Sequence, residues 1–145
     1  STLWSKIGEV NRYRIERGMS DFHVIEFQGE TFTGNHVNQL HQDSVNYISK
    51  ELITPFNGKK IVATHHLPTI LNYPEKYKGD VLNEAFATEM SEFLFETKPD
   101  HWIFGHTHCN VSSFTIGNTQ LHTNQLGYVK YNEHKQFRNN CIIEI

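Results

Sequence analysis

The sequence of 145 residues lacks several features that would define its class. It has two isolated cysteines, Cys109 and Cys141, which match neither a disulfide framework nor a zinc knuckle. No apolar stretch reaches the roughly 18 residues that a membrane span requires, and the first residues do not form a signal peptide. Since isolated cysteines are usual in a reducing compartment, we expect a cytoplasmic protein with no membrane partner.

Basic charge is also scarce, because 13 Lys and Arg residues stand against 16 Asp and Glu. Without a basic patch or a run of Lys and Arg, the sequence does not predict a nucleic-acid surface. The length suits one domain with a substantial core. What the sequence does have is histidine: there are ten, and four of them fall within two short motifs.

The hydrophobic pattern predicts an α/β fold. Strands and helices alternate along most of the chain, and strand-like pieces follow at the C-terminal end. The predicted elements are a strand at 22–27 that pairs with "ETFTG" across Gln28-Gly29, a helix at 37–53, the strand "KKIVATHH" ending at His65, a helix at 81–96 ended by Pro99, the strand "HWIFG", and then "VSSFTIG", "TQLHTNQ", "GYVKY" and "CIIEI".

Histidines directly follow two apolar strands, in "IVATHH" and "WIFGHTH". Functional residues of an α/β sheet gather beyond the carboxyl ends of its strands, so we expect His65, His106 and His108 to converge. Neutral imidazole suits Zn, Mn or Fe, and Gly105 allows a sharp turn before His106. A single histidine at a strand end is more commonly a surface residue, so the metal-site hypothesis depends on both motifs together.

The other histidines are less informative. His66 points away from its neighbour, so it either contacts substrate or packs. The remaining six are expected to be surface or structural residues; they are His23, His36, His41, His101, His122 and His134.

The motifs "VATHHLPT" and "WIFGHTH" resemble the last two motifs of the calcineurin-like metallophosphoesterase superfamily. The pieces "TLW", "MSDFHVI", "NEAFATEM" and "NQLGY" extend the resemblance over nearly all of the chain. The resemblance implies that residues 1–145 are the C-terminal portion of a single domain, a four-layer αββα sandwich, whose N-terminal half is a missing partner.

The resemblance also implies a two-metal site for phosphoester hydrolysis, with ions about 3.5–4 Å apart. His65 and His106 would serve one divalent ion (Mn, Fe, Zn or Ni), His108 would serve the other, and His66 would contact substrate. The other ligands of the family lie in Asp-x-His, Gly-Asp-x-x-Asp and Gly-Asn-His motifs, which we expect upstream of residue 1. The implied reaction is attack of a metal-bound hydroxide on phosphorus.

Two segments imitate these missing motifs: Asp21-Phe22-His23 and Gly34-Asn35-His36. The apolar run "VIEF" follows the first segment instead of preceding it, and the spacing between the two is too short for a parallel crossover. No Gly-Asp-x-x-Asp occurs. We therefore expect both segments to lie away from the histidine cluster, with Gly34-Asn35 forming a turn before the helix.

Two other functions are weighed against hydrolysis. One is a non-catalytic half-domain that binds metal weakly or not at all and serves in binding or assembly. The other, a histidine-triad protein, would alternate His with apolar residues, which Thr107 and Cys109 do not supply. The substrate stays open among phosphomonoesters, cyclic nucleotides, dinucleotides and phosphoproteins.

Overall fold

The computed structural model describes residues 1–145 and confirms the α/β class. Its helices are α1 (Glu9–Gly18), α2 (Asp21–Val24), α3 (Gly34–Ile53) and α4 (Ser91–Thr97). Its strands are β1 (Glu26–Phe27), β2 (Glu30–Thr31), β3 (Ile61–Ala63), β4 (His101–Ile103), β5 (Phe114–Ile116) and β6 (Thr119–His122). None of the helices combines the length and the apolar character that crossing a bilayer requires.

The main sheet has four strands in the order β3-β4-β6-β5. Strands β3, β4 and β6 are parallel, and β5 forms an antiparallel hairpin with β6. Ala63 pairs with Ile103 at the carboxyl ends of β3 and β4. The residues that follow these two strands are therefore neighbours, and the Gly105 N–H donates to the His65 carbonyl over 3.1 Å.

The apolar residues form two clusters. The larger lies between the sheet and helices α3 and α4, and it contains the fully buried Leu94, Trp102 and Leu121. The smaller joins α1, α2 and α3 through Ile15, Phe22 and other side chains. Burying such aliphatic and aromatic side chains contributes about 1.5–3 kcal/mol each, so these clusters hold the strand ends in place.

Helix α3 begins earlier than the predicted helix at 37–53. Thr33 is its N-cap, and its hydroxyl accepts from the His36 N–H over 3.5 Å while the His36 Nδ1 accepts from the Thr33 N–H over 3.2 Å. This reciprocal arrangement satisfies two amide groups at the start of the helix. Gly34 and Asn35 thus lie inside the first helical turn rather than in a turn before it.

The single helix predicted at 81–96 is wrong. Residues Val81–Ala85 form a 3-10 helix, and an α-helix resumes only at Ser91. Between them the chain pairs with the segment after β3: the Leu67 N–H donates to the Phe86 carbonyl, and the Thr88 N–H donates to the Leu67 carbonyl. Because this pairing satisfies the backbone outside a helix, it competes successfully with the helical periodicity.

The strand predicted at 22–27 is wrong over its first part, because Asp21–Val24 is helical. The hairpin is confirmed in the short pair β1–β2. Gln28 and Gly29 form its turn with φ values of 56° and 85°, the left-handed conformation that two-residue hairpins favour.

The C-terminal strand predictions at "GYVKY" and "CIIEI" are also wrong. Residues Val129–Tyr131 form a 3-10 turn, and 141–145 have no regular structure. Helix α1 has no clear signal in the sequence. Only Ile15 of its ten residues is buried, so its apolar periodicity is weak.

Candidate metal site

Three imidazoles meet beyond the carboxyl ends of β3 and β4. Nδ1 of His106 lies 3.1 Å from Nε2 of His65. One ring nitrogen each from His65, His66 and His106 lies within 4.8 Å of the other two. The structure thus brings His65 and His106 together as predicted from the sequence, and it adds His66 to the same cluster.

Hydrogen bonds with the first residues of the chain and with Thr64 fix the turn that carries His65 and His66. The carbonyls of Ser1 and Thr2 accept from the His65 and His66 N–H groups over 3.1 and 3.0 Å. The Thr64 hydroxyl donates to the His66 carbonyl over 2.8 Å. Because the first residues of the chain and Thr64 restrain this backbone, the two imidazoles have little freedom to separate.

His66 is buried, and its neighbours orient the ring. Its Nδ1 lies 3.1 Å from the Ser5 hydroxyl, so Nε2 is the ring nitrogen that remains available for a ligand. Trp4 contacts the ring edge-on at a centroid distance of 5.6 Å. A histidine whose second nitrogen is held by a hydrogen bond is the usual arrangement of a metal ligand.

Burial keeps this cluster unprotonated. It lowers the pKa of His66 to about 3, with the positive charges of His106, His65 and His41 acting in the same direction. It lowers the pKa of His106 to about 4, again with help from neighbouring imidazoles. The pKa of His65 is also lowered, by burial and by His108. At neutral pH each of the three rings therefore has one unprotonated nitrogen that a cation can bind.

The Gly-His-Thr-His loop has an unusual backbone. His106 and His108 have φ values of 74° and 53°, the left-handed region that non-glycine residues rarely adopt. Gln125 holds the loop, because its Oε1 accepts from the His108 N–H over 2.8 Å and its Nε2 donates to the Cys109 carbonyl over 2.9 Å. Such strain costs on the order of 1–3 kcal/mol per residue and concentrates at functional sites.

His108 stands beside the cluster rather than within it. Its Nδ1 lies 2.8 Å from the Glu133 carboxylate, and Tyr128 packs edge-on against its ring at 4.8 Å. Gly127, at φ 64°, passes so close that a Cβ there would lie 3.0 Å from the His108 Cβ. Glu133 has a lowered pKa, first because it accepts from the Tyr128 N–H and then because of His108.

Two cavities adjoin the histidine cluster. The first, of about 500 Å³, is lined by His65, His106 and His108 together with Tyr73, Tyr77, Asp80, Leu82, Asn83, Phe86, Thr107, Tyr128 and Glu133. The second, of about 450 Å³, is lined by His65, His66, His106 and Asp21, among others. We call the first the aromatic cavity and the second the Asp21 cavity.

The expectation for the two imitating segments is correct for the histidines and wrong for Asp21. His23 is exposed and bonds to the Arg17 carbonyl, and His36 serves the cap of α3. Asp21, however, lines a cavity with the three clustered imidazoles. The apolar run "VIEF" follows Asp21, so no strand precedes it, but helix α2 places Asp21 in the lining of this cavity.

The remaining histidines follow the expectation of surface or structural roles. His41 is buried and its Nδ1 lies 3.2 Å from the Leu3 carbonyl. His101 and His122 contact each other across the sheet at 3.0 Å. His134 lies in the C-terminal segment and lines neither cavity.

Sequence reasoning missed several supporting residues. Ser5 orients His66, Gln125 holds the loop, and Glu133 binds His108. The sequence signal for Gln125 and Gly127 is the "NQLGY" motif, whose glycine marks a left-handed backbone position. Glu133 has no comparable signal, because only the folded 3-10 turns after Gly127 bring it to His108.

Comparison of the chain with protein-family models, with curated proteins and with solved structures returned no match. The functional conclusion therefore depends on the geometry of the site.

Proposed function

We propose that this chain is part of a metal-dependent phosphoester hydrolase of the calcineurin-like type. The observation that carries the proposal is the convergence of three unprotonated imidazoles at the carboxyl ends of two parallel strands. Side chains at this edge of an α/β sheet commonly bind ligands. The cluster also opens into a cavity of about 500 Å³, which is within the usual size range of small-molecule sites.

The donor set fits a divalent transition metal. Two imidazole nitrogens on one tetrahedral ion lie roughly 3.3 Å apart, from metal–nitrogen distances of about 2.0–2.1 Å. The His65 and His106 nitrogens lie 3.1 Å apart. Mn, Fe, Zn and Ni all accept imidazole, so we propose ions of this group as cofactors.

Each histidine has its own part in the proposed site. His65 and His106 hold one ion, and His66 stands beside them with its ring fixed by Ser5. His108, oriented by the Glu133 carboxylate, faces the aromatic cavity and serves a second ion. Divalent ions bound there would depress the pKa of water and neutralise phosphate charge.

The aromatic cavity offers groups for a phosphoester substrate. The rings of Tyr73, Tyr77 and Tyr128 line it, and Asn83 and Thr107 supply polar groups. Stacking on aromatic rings and hydrogen bonds to polar groups would hold the organic part of the ester while the imidazole edge receives the phosphoryl group.

The site is proposed to be completed by a second half of the domain. Strand β3 is an edge strand, and the backbone groups of Lys60 and Thr64 bond to the β4 side. The alternate residues Ile61 and Ala63 therefore turn their backbone groups to the other edge. The Ser1 amino group already donates to the Ala63 carbonyl on this edge over 3.1 Å, so the edge is open only toward Ile61. We propose that the missing half, which would supply the carboxylate ligands, completes a four-layer αββα sandwich there.

The alternative function is a non-catalytic half-domain. It is favoured by one observation: the clustered donor atoms are three neutral imidazoles and include no carboxylate. Such a set has no group that would bridge two ions. In either case we propose a cytoplasmic location, because Cys109 and Cys141 are both free thiols.

Metal titration distinguishes the hydrolase from the non-catalytic half-domain, because only the hydrolase requires tight metal binding. Calorimetry with Zn²⁺ and Mn²⁺ at pH 7 should show a tight first equivalent for the chain. His65→Ala should weaken it more than about 100-fold, since a ligand is lost, whereas His23→Ala should not change it. No binding, or equal losses in both variants, would contradict the metal site.

Hydrolysis of bis-p-nitrophenyl phosphate tests the need for a second half. We expect residues 1–145 alone to be inactive or nearly so with Mn²⁺, because the three imidazoles have no carboxylate beside them to hold a second ion. Losing one such electrostatic stabiliser typically costs on the order of 10²–10³ in rate. A protein that also contains the missing half should turn over the ester. Rapid metal-dependent turnover by the chain alone would show that its own residues complete the site.

A further inference from the structure

Asp21 is a carboxylate without a partner beside the histidine cluster. It lines the Asp21 cavity together with His65, His66 and His106. Its backbone carbonyl accepts from the Ile25 N–H, but its side chain forms no hydrogen bond and no ion pair. A carboxylate without a hydrogen bond or an ion pair is available to bind a ligand that enters the cavity.

A series of aromatic contacts fixes where Asp21 stands. Phe22, the next residue, is buried and stacks on Phe32 with ring centroids 5.8 Å apart. Phe32 contacts Trp4 at 5.3 Å, and Trp4 contacts His66 at 5.6 Å. Because these rings form one packed series, the start of α2 keeps its position relative to the imidazoles.

We propose that the Asp21 carboxylate belongs to the metal centre and faces a divalent cation held by the imidazoles. This inference rests on the proposed function. It assigns to the chain itself an anionic group that the imidazole cluster lacks, in a segment outside both histidine motifs.

The charges favour this assignment. The three imidazoles are neutral at pH 7, so they offer lone pairs but do not compensate the charge of a bound dication. Asp21 supplies one negative charge in the lining of the same cavity.

A purely structural role accounts for Asp21 less well. An acidic residue in the first turn of a helix favours the helix dipole, but α2 has only four residues. Phe22, not Asp21, makes the buried contacts of this segment. A structural role would affect the stability of the metal-free protein, whereas the proposed role affects its affinity for cations.

The test compares Asp21→Asn with Asp43→Asn, which removes the same charge from an exposed position on α3. Zn²⁺ and Mn²⁺ affinities are measured by calorimetry at pH 7. We expect Asp21→Asn to bind 10- to 100-fold more weakly, about the loss seen for supporting groups of metal sites. Asp43→Asn should bind as the wild type does. Asp21→Glu, which keeps the charge, should recover part of the affinity.

The outcomes distinguish this inference from the proposed function. If the wild type binds cations and Asp21→Asn binds them equally well, the inference is overturned and the metal site stands. If the wild type binds no cation, both are overturned. Thermal unfolding without metal should give nearly equal midpoints for the wild type and Asp21→Asn; a lowered midpoint together with unchanged affinity would assign Asp21 a structural role only.

Discussion

Two pairs of histidines in this molecule have almost the same geometry and different surroundings. Nε2 of His65 lies 3.1 Å from Nδ1 of His106, and Nδ1 of His101 lies 3.0 Å from Nε2 of His122. The first pair follows the ends of two strands and opens into two cavities. The second lies within β4 and β6, where the sheet holds both rings.

In the second pair, three of the four ring nitrogens have partners within the protein. The other nitrogen of His122 lies 2.9 Å from the Ser113 hydroxyl, so both of its ring nitrogens have partners, and His101 is buried. The first pair has a third imidazole, His66, beside it. A short distance between two imidazoles therefore does not define a metal site; a third donor and an open cavity do.

The largest difference between the pairs should appear in metal affinity. His106→Ala should weaken the first Zn²⁺ equivalent by more than about 100-fold, because it removes a ligand. His122→Ala should change the affinity less than about 3-fold. Calorimetry of both variants beside the wild type gives the answer. If the two variants lose affinity equally, the distinction between the pairs is wrong.

Stability should change in opposite directions in the two pairs. His101→Ala should lower the free energy of unfolding by about 1–3 kcal/mol, since it leaves a buried cavity and an unpaired His122 nitrogen. His106→Gly should raise it by up to about 1 kcal/mol, because glycine accepts the φ of 74° without strain. Urea unfolding of metal-free protein measures both, and a loss in His106→Gly would contradict the strain argument.

The sequence predicts the first pair because its pattern of apolar residues marks where the strands end. Apolar runs that stop at His65 and at Gly105 predict that the following histidines share one sheet edge, and the structure has them there. It does not predict the place of His66 in the cluster. The turn that decides it is held by the Thr64 hydroxyl and by the Thr2 carbonyl. No local sequence pattern predicts the bond to Thr2, which is distant in the sequence.

The wrong predictions of secondary structure also result from contacts between residues that are distant in the sequence. The segment 86–90 has a helical pattern, but pairing with Leu67 and Pro68 gives its backbone other partners. No strand precedes Asp21, so the sequence predicts it away from the histidines, whereas packing of Phe22 against Phe32 brings it to a cavity beside them. In each case tertiary contacts outweigh local preference, and residues distant in sequence supply those contacts.

The clustered histidines should make the stability of the fold depend on pH. The folded-state pKa values of His66 and His106, about 3 and about 4, lie below the ordinary value of 6.5. The unfolded chain therefore binds more protons below about pH 6.5, and stability falls from there toward pH 3. His66→Asn, which removes one such group, should show a shallower fall in unfolding midpoint between pH 7 and 4.5. An unchanged slope would contradict the lowered pKa.

The smallest effect is expected from Glu133→Gln, and it tests how His108 relates to the cluster. Glu133 contacts only His108 among these histidines, and His108 is not one of the three clustered donors. The substitution weakens a charge-assisted bond but keeps a hydrogen-bond acceptor beside the imidazole. We therefore expect the first Zn²⁺ equivalent to bind within about 3-fold of the wild-type affinity. A loss of 10-fold or more, of the size that supporting groups of ligands produce, would mean that His108 shares the ion held by His65 and His106.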